Sequence, residues 1–198
     1  VAQNLGNAGL TLTVPEVNSM GLALFGGQSL EQAFAQDYDT VVIVENDLFR
    51  RLPAPQVKAA LAKAQTVIVL DHSETETVKQ ADIVLSAASF AEGDGTVVSQ
   101  EGRAQRFYQV YDPSYYKPEY AIKESWRWLH AIETGLNGKV INWTLLDDVI
   151  ESVVKNVPVL EAIQDVAPDA GYRVHGLKIA REPRRYSGRT ALRAPISV

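Results

Sequence analysis

Three short apolar runs set the rhythm of the first half of the chain. Val41-Val42-Ile43-Val44, Val67-Ile68-Val69-Leu70 and Ile83-Val84-Leu85 are continuous rather than alternating, and rich in β-branched residues. Runs of this kind predict strands buried on both faces of a parallel sheet. Between the first two lies Pro53 to Ala64, where the prolines suit a first helical turn and Val57, Ala60, Leu61 and Ala64 share one face. Between the second and third, Ser73-Glu74-Thr75-Glu76 predicts a capping box that opens a short helix ending near Gln80. The order β-α-β-α-β implies parallel strands joined by right-handed crossovers.

The flanks read differently. Upstream, Leu10, Leu12 and Val14 alternate with threonines, Leu22 to Phe25 form another apolar run, and Ser29 with Gln32 predicts a capped helix through Ala35. Downstream, Asp94-Gly95 is a turn signal, Thr96 to Ser99 predicts a strand, and Gln100 to Arg103 a turn into Ala104 to Val110, together a hairpin over about 94–110 projecting from the sheet. Helices are expected over about 118–165. Pro118 and Glu119 start one that carries Ile122, Trp126, Leu129 and Ile132 on one face and closes at Gly135. Thr144 and Asp147 cap the next, with Leu146, Val149, Ile150, Val153 and Val157 inward, and a short helix follows near Val159 to Gln164. The fold class expected is α/β: a parallel Rossmann-like sheet flanked by helices over 1–167, with a projecting hairpin and an extended basic tail over 168–198.

Composition narrows the chemistry. The 198 residues are 46% hydrophobic, enough for one domain with a real core. Without cysteine, the chain offers no thiolate for an iron–sulfur cluster, a Cys-ligated zinc or nucleophilic catalysis. His72, His130 and His175 are too far apart in sequence for a metal motif, so no metal ligand is assigned. No apolar run approaches the roughly 20 residues that span a bilayer. A lone methionine, Met20, and the opening Val1-Ala2-Gln3 lead to the expectation of a segment from a longer polypeptide. From Arg173 to Val198 the net charge is +6, which leaves −11 on the rest of a chain whose total is −5. That acidic body argues against nucleic-acid binding, and the tail is expected to strap onto carboxylates with Tyr186 as anchor.

Few motifs carry chemistry. Asp71-His72-Ser73-Glu74-Thr75-Glu76-Thr77 follows directly on the second strand, where open α/β sheets bind ligands. A nucleotide or pterin phosphate could sit there; equally, Asp71 and Ser73 could serve only as caps. Gly26-Gly27 and Gly93-Asp94-Gly95 are neither a dinucleotide fingerprint nor a P-loop, and read as turn glycines. Glu92, Asp94 and Glu101 lie close enough in sequence for an acid/base pair but read better as solvated hairpin carboxylates. No nucleophile elbow supports a triad on His72 or His130, so no catalytic residue is assigned. Asn142-Trp143-Thr144 matches a glycosylation sequon yet sits where a helix cap is wanted, and Trp126 reads as core while Trp128 points elsewhere.

The run Ala81-Asp82-Ile83-Val84-Leu85, then Gly95-Thr96 and Glu101-Gly102-Arg103, preceded by Thr75-Glu76-Thr77, resembles the molybdopterin oxidoreductase superfamily. The proline of that family's Ala-Asp-x-Val-Leu-Pro element is Ser86 here. Val14-Pro15-Glu16-Val17-Asn18-Ser19-Met20-Gly21, Arg106-Phe107-Tyr108-Gln109-Val110-Tyr111-Asp112-Pro113 and Ala180 to Ala191 resemble, within it, the G-subunit family of bacterial NADH-quinone oxidoreductases. That second resemblance implies a carboxyl-terminal segment of an electron-transfer subunit, structural rather than catalytic. It implies that cysteines elsewhere in the full-length polypeptide hold its 4Fe-4S and 2Fe-2S clusters. It also implies that molybdopterin has been lost, leaving Asp71, Thr75 and Asp82 as a vestigial pterin pocket. The implied partners are the other subunits of the peripheral arm of respiratory complex I, on the cytoplasmic side of the bacterial inner membrane, with no membrane insertion of this segment. The alternatives are the cofactor-binding half of an active molybdopterin-dependent dehydrogenase, such as a formate dehydrogenase, and an α/β nucleotide-binding module.

Overall fold

The computed structural model describes residues 13–115, 118–138, 141–166 and 168–169. The alternation at Leu10 and Leu12 and the basic tail after Asp169 lie outside the described residues. Two short helices, α1 (Ser19–Leu24) and α2 (Leu30–Phe34), lead into the sheet. The capping box expected for α2 is complete: Gln32 N–H donates to Ser29 Oγ at 3.2 Å and Ser29 N–H to Gln32 Oε1 at 3.0 Å. These reciprocal bonds satisfy donors that a helix start would otherwise leave open.

Strands β1 (Thr40–Val44), β2 (Thr66–Asp71) and β3 (Ile83–Ser86) form a parallel sheet in the order β1-β2-β3. Val42 lies opposite Ile68, and Ile68 opposite Ile83. The crossover from β1 to β2 carries α3 (Ala54–Leu61), with Pro53 and Pro55 at its start as expected. Val57 and Leu61 of α3 pack on Ile43, Val67 and Val69, with Leu48 closing the cluster. Each such fully buried side chain contributes about 1.5–3 kcal/mol of transfer free energy.

Burial on both faces, expected of all three strands, holds only for β2. Val42 and Val44 on β1 and Ile83 and Val84 on β3 are exposed. On β1 burial alternates: Val41 and Ile43 pack under α3, while Val42 and Val44 face the other side of the sheet. The helix expected from Ser73 is likewise reduced to one 3-10 turn, Val78–Gln80. Thr75, not Ser73, caps it: Val78 N–H donates to Thr75 Oγ1 at 3.2 Å. The cause is the short return path, because Asp82 must already bond Val67 at the foot of β2.

The hairpin forms a sheet of its own, β4 (Gly95–Val98) antiparallel to β5 (Ala104–Phe107). The helix expected from Pro118 begins seven residues later, as α4 (Ser125–Asn137). Residues 122–124 are instead drawn alongside the end of β3, where Ala88 N–H donates to Lys123 C=O at 2.8 Å. Its stop is Gly138, in the left-handed region at φ 62°, while Gly135 lies within the helix. Helix α5 (Leu146–Asn156) is capped by Asp148, whose Oδ2 accepts Thr144 N–H and Leu145 N–H, both at 2.8 Å, and the Thr144 hydroxyl at 3.0 Å. Asp147, expected in that role, turns to Arg106 instead.

A second apolar cluster joins hairpin and helices. Val98, Leu146, Leu160 and Ile163 are buried, the last at the start of α6 (Ile163–Val166). Asn18 ties α1 to it by accepting Val98 N–H at 2.8 Å. Arg106, with only 1% of its side chain exposed, holds Asp94 at 3.2 Å, Asp147 on α5, and the Pro168 carbonyl at 2.9 Å. Burial pulls its pKa down, but hydrogen bonds from its guanidinium to Asp147 and Asp94 outweigh that and hold it above the usual arginine value.

Candidate functional site at the strand carboxyl ends

In an open parallel sheet the strand carboxyl ends share one rim, and helix or turn starts point their N–H groups toward it. Here that rim opens into a cleft of about 470 Å³. Val44 and Glu45 come from the end of β1, His72 from just beyond β2, and Ala88 and Ser89 from beyond β3. Helix α4 supplies Ser125 and Trp126, and the approach to β4 supplies Gly93 and Asp94.

Glu45 is the most unusual residue of the cleft. Its φ is 48°, the only positive value at a non-glycine among the described residues. Holding a side-chain-bearing residue there costs of order 1–3 kcal/mol, and such strain collects at binding sites and clamps. The Glu45 carboxylate accepts the hydroxyl of Ser125, the first residue of α4. Sequence reasoning passes over both. The available signal is positional: Glu45-Asn46-Asp47 is the polar turn directly after the first apolar run.

The residues singled out from sequence do not converge. Asp71 is buried at the end of β2, where its Oδ1 accepts Ser73 N–H at 3.0 Å and lies 3.5 Å from His72 Nδ1. Thr75 caps the following turn. Asp82 is at the opposite edge of the sheet, before β3, where Oδ2 accepts Val67 N–H at 2.8 Å. All three are thus bonded to backbone N–H groups. Glu92 accepts Ser89 N–H at 2.9 Å, and Asp94 pairs with Arg106, so they form no acid/base couple. Trp128 donates Nε1–H to Ser86 C=O at 2.9 Å and fastens α4 to the sheet. Gly26 and Gly27 do occupy positive φ, at 73° and 117°.

The family model for molybdopterin oxidoreductases matches residues 23–132, more than half of the chain and all five strands. The chain belongs to the molybdopterin oxidoreductase family. Among its curated relatives, the NADH-quinone oxidoreductase G subunits of Escherichia coli K12 and Pseudomonas putida KT2440 are each 54% identical over 196 residues. That of Salmonella typhimurium LT2 is 52% identical over the same length. Each alignment covers 97% of this chain but only 22% of the relative, so the chain spans about a fifth of the length of the curated relatives it matches.

Membership in the molybdopterin oxidoreductase family raises the question of whether the cleft suits the pterin. Molybdopterin carries a phosphate, which calls for cations or free N–H groups. The cleft presents Glu45, Asp94 and Glu124 and no lysine or arginine among its described lining. The Arg106 and Arg127 guanidiniums pair with Asp94 and Glu124 from outside that lining. The residues present therefore do not fit the group.

Proposed function

We propose that this chain is a structural and assembly segment of an NADH-quinone oxidoreductase G subunit, within the peripheral arm of respiratory complex I. The observation that carries this reading is the 54% identity to G-subunit proteins along 97% of the chain. The chemistry of the residues agrees with it. The chain has no cysteine to ligate an iron–sulfur cluster, so the clusters of the full-length polypeptide belong to other parts of it. The acidic strand-end cleft supports a pterin site that has lost its ligand. Among the described residues no helix is long and apolar enough to cross a membrane, which supports a place in a peripheral arm. The parent assembly passes electrons from NADH to quinone, on the cytoplasmic side of the inner membrane, and this segment holds the shape of one polypeptide in it.

Replacing the matching segment of the E. coli G subunit by this chain tests the proposal. Membranes carrying the chimera should contain assembled enzyme and reduce quinone with NADH, whereas deletion of the segment should abolish assembly. Unchanged enzyme levels after deletion would remove the assembly role. Metal analysis of the purified chain after growth with molybdate separates the alternative: about one molybdenum per chain would favour a pterin-dependent dehydrogenase.

A further inference from the structure

Among the described residues, the outer edge of β1 has no strand paired to it. Glu45 N–H donates to Leu70 C=O at 2.7 Å, and Asp39 C=O accepts Thr66 N–H at 3.0 Å. In a parallel ladder alternate residues address the same neighbour, so Val41 and Ile43 face β2 as well. The N–H and C=O groups of Val42 and Val44 therefore point away from the sheet. Beside them runs a groove of about 460 Å³. Val41, Val42, Ile43 and Val44 all line it, which four successive strand residues can do only along the strand's edge. Leu30 and Phe34 of α2 line it too, with Glu31, Arg51 and Lys63 also among its lining residues. Val42 and Val44 remain 41% and 39% exposed.

An apolar strand with bare amides is an association hazard unless something covers it, and parallel strands are found covered on both faces. We infer that the β1 edge receives a further parallel strand, β-branched and uncharged, from the part of the full-length polypeptide beyond these 198 residues. The length of chain outside the structure argues for that occupant, since the relatives extend to several times this length. No charged side chain of β1 itself guards the edge, as strand edges meant for solvent usually carry. The inference rests on the reading of the chain as a segment of a longer polypeptide.

Amide hydrogen exchange, resolved to single residues, tests it in the isolated chain and in the purified chimera described above. Because exchange is read on the chimeric polypeptide itself, its failure to enter the complex would count against the assembly role and not against the strand. In the isolated chain, Ile43 and Glu45 amides should be protected and Val42 and Val44 amides should exchange freely. In the chimera, Val42 and Val44 should slow by at least about tenfold. A Val42→Lys variant should leave the isolated chain's melting temperature unchanged and cancel the slowing in the chimera. Equal exchange at Val42 and Val44 in both polypeptides would overturn the inference. Protection already present in an isolated chain that elutes as a dimer would overturn it too, by showing a second copy on the edge.

Discussion

The hydroxyl of Thr77 donates to Asp47 Oδ1 at 2.8 Å and accepts the N–H of Leu48 at 2.8 Å, joining the turn after β1 to the turn after β2. Thr77 is fully buried, and Leu48 belongs to the main apolar cluster. A buried hydroxyl used in both directions is lost completely when it is replaced by a methyl of the same shape. Thr77→Val should therefore cost about 1–3 kcal/mol, because the buried Leu48 N–H loses its acceptor, while the half-buried Asp47 keeps its bond from Phe49 N–H. Thr77→Ser should cost less. Urea unfolding of the three proteins checks the order.

The centre of the sheet should resist charge. Val69 is completely buried between Ile43 and the α3 cluster. Val69→Asp should cost about 3 kcal/mol or more, since an unpaired carboxylate there has neither solvent nor cation. A thermal melt lowered by only a degree or two would remove β2 from the core.

The hairpin depends on an absent side chain. A Cβ on Gly95 would lie 2.5 Å from Cζ of Phe107, whose ring meets Phe90 edge-on at 5.2 Å. Gly95→Ala should destabilise by about 1–3 kcal/mol through overpacking. Phe107→Leu in the same chain should recover part of that loss, a coupling of about 0.5–3 kcal/mol in a double-mutant cycle.

The start of α5 should be sensitive to acid. Hydrogen bonds from Leu145 N–H, then from Thr144 N–H and its hydroxyl, hold the Asp148 carboxyl below the usual range. A depressed carboxylate stabilises the fold fully above its unfolded value of about 3.9, and that contribution disappears as pH falls through the lower folded value. The difference in urea midpoint between wild type and Asp148→Asn should thus be widest near about pH 6, narrow below about pH 4, and vanish in stronger acid. A difference independent of pH would assign the cap to another group.

The parallel sheet is legible in the sequence because Val41–Val44, Val67–Leu70 and Ile83–Leu85 are unbroken β-branched runs, and α3 because Pro53 and Val57 mark its start and face. The reduced turn at Val78–Gln80 and the late start of α4 are not. Local capping signals say that a helix is allowed, whereas the length left for the return to β3 and the pairing of Lys123 with Ala87 are tertiary facts. Exposure of Val42 and Ile83 is equally hidden, since composition cannot tell a central strand from an edge strand. At the cleft, Asp71 can be placed at a strand end from sequence. Glu45 cannot, because its positive φ is imposed by the turn around it, and Asp82 is misplaced because proximity in sequence to β3 says nothing about which end of β3 matters.

Arg106 also sets a timetable. Its partners lie 12 residues earlier at Asp94, 41 residues later at Asp147, and 62 residues later at Pro168. All five strands are thus synthesised while this guanidinium still lacks its Asp147 carboxylate. At about 5–20 residues per second, the interval between synthesis of Arg106 and of Asp147 is about 2–8 s. During that interval Val98 lacks Leu146, Leu160 and Ile163, so the apolar side of the hairpin stays uncovered until the last helices are made.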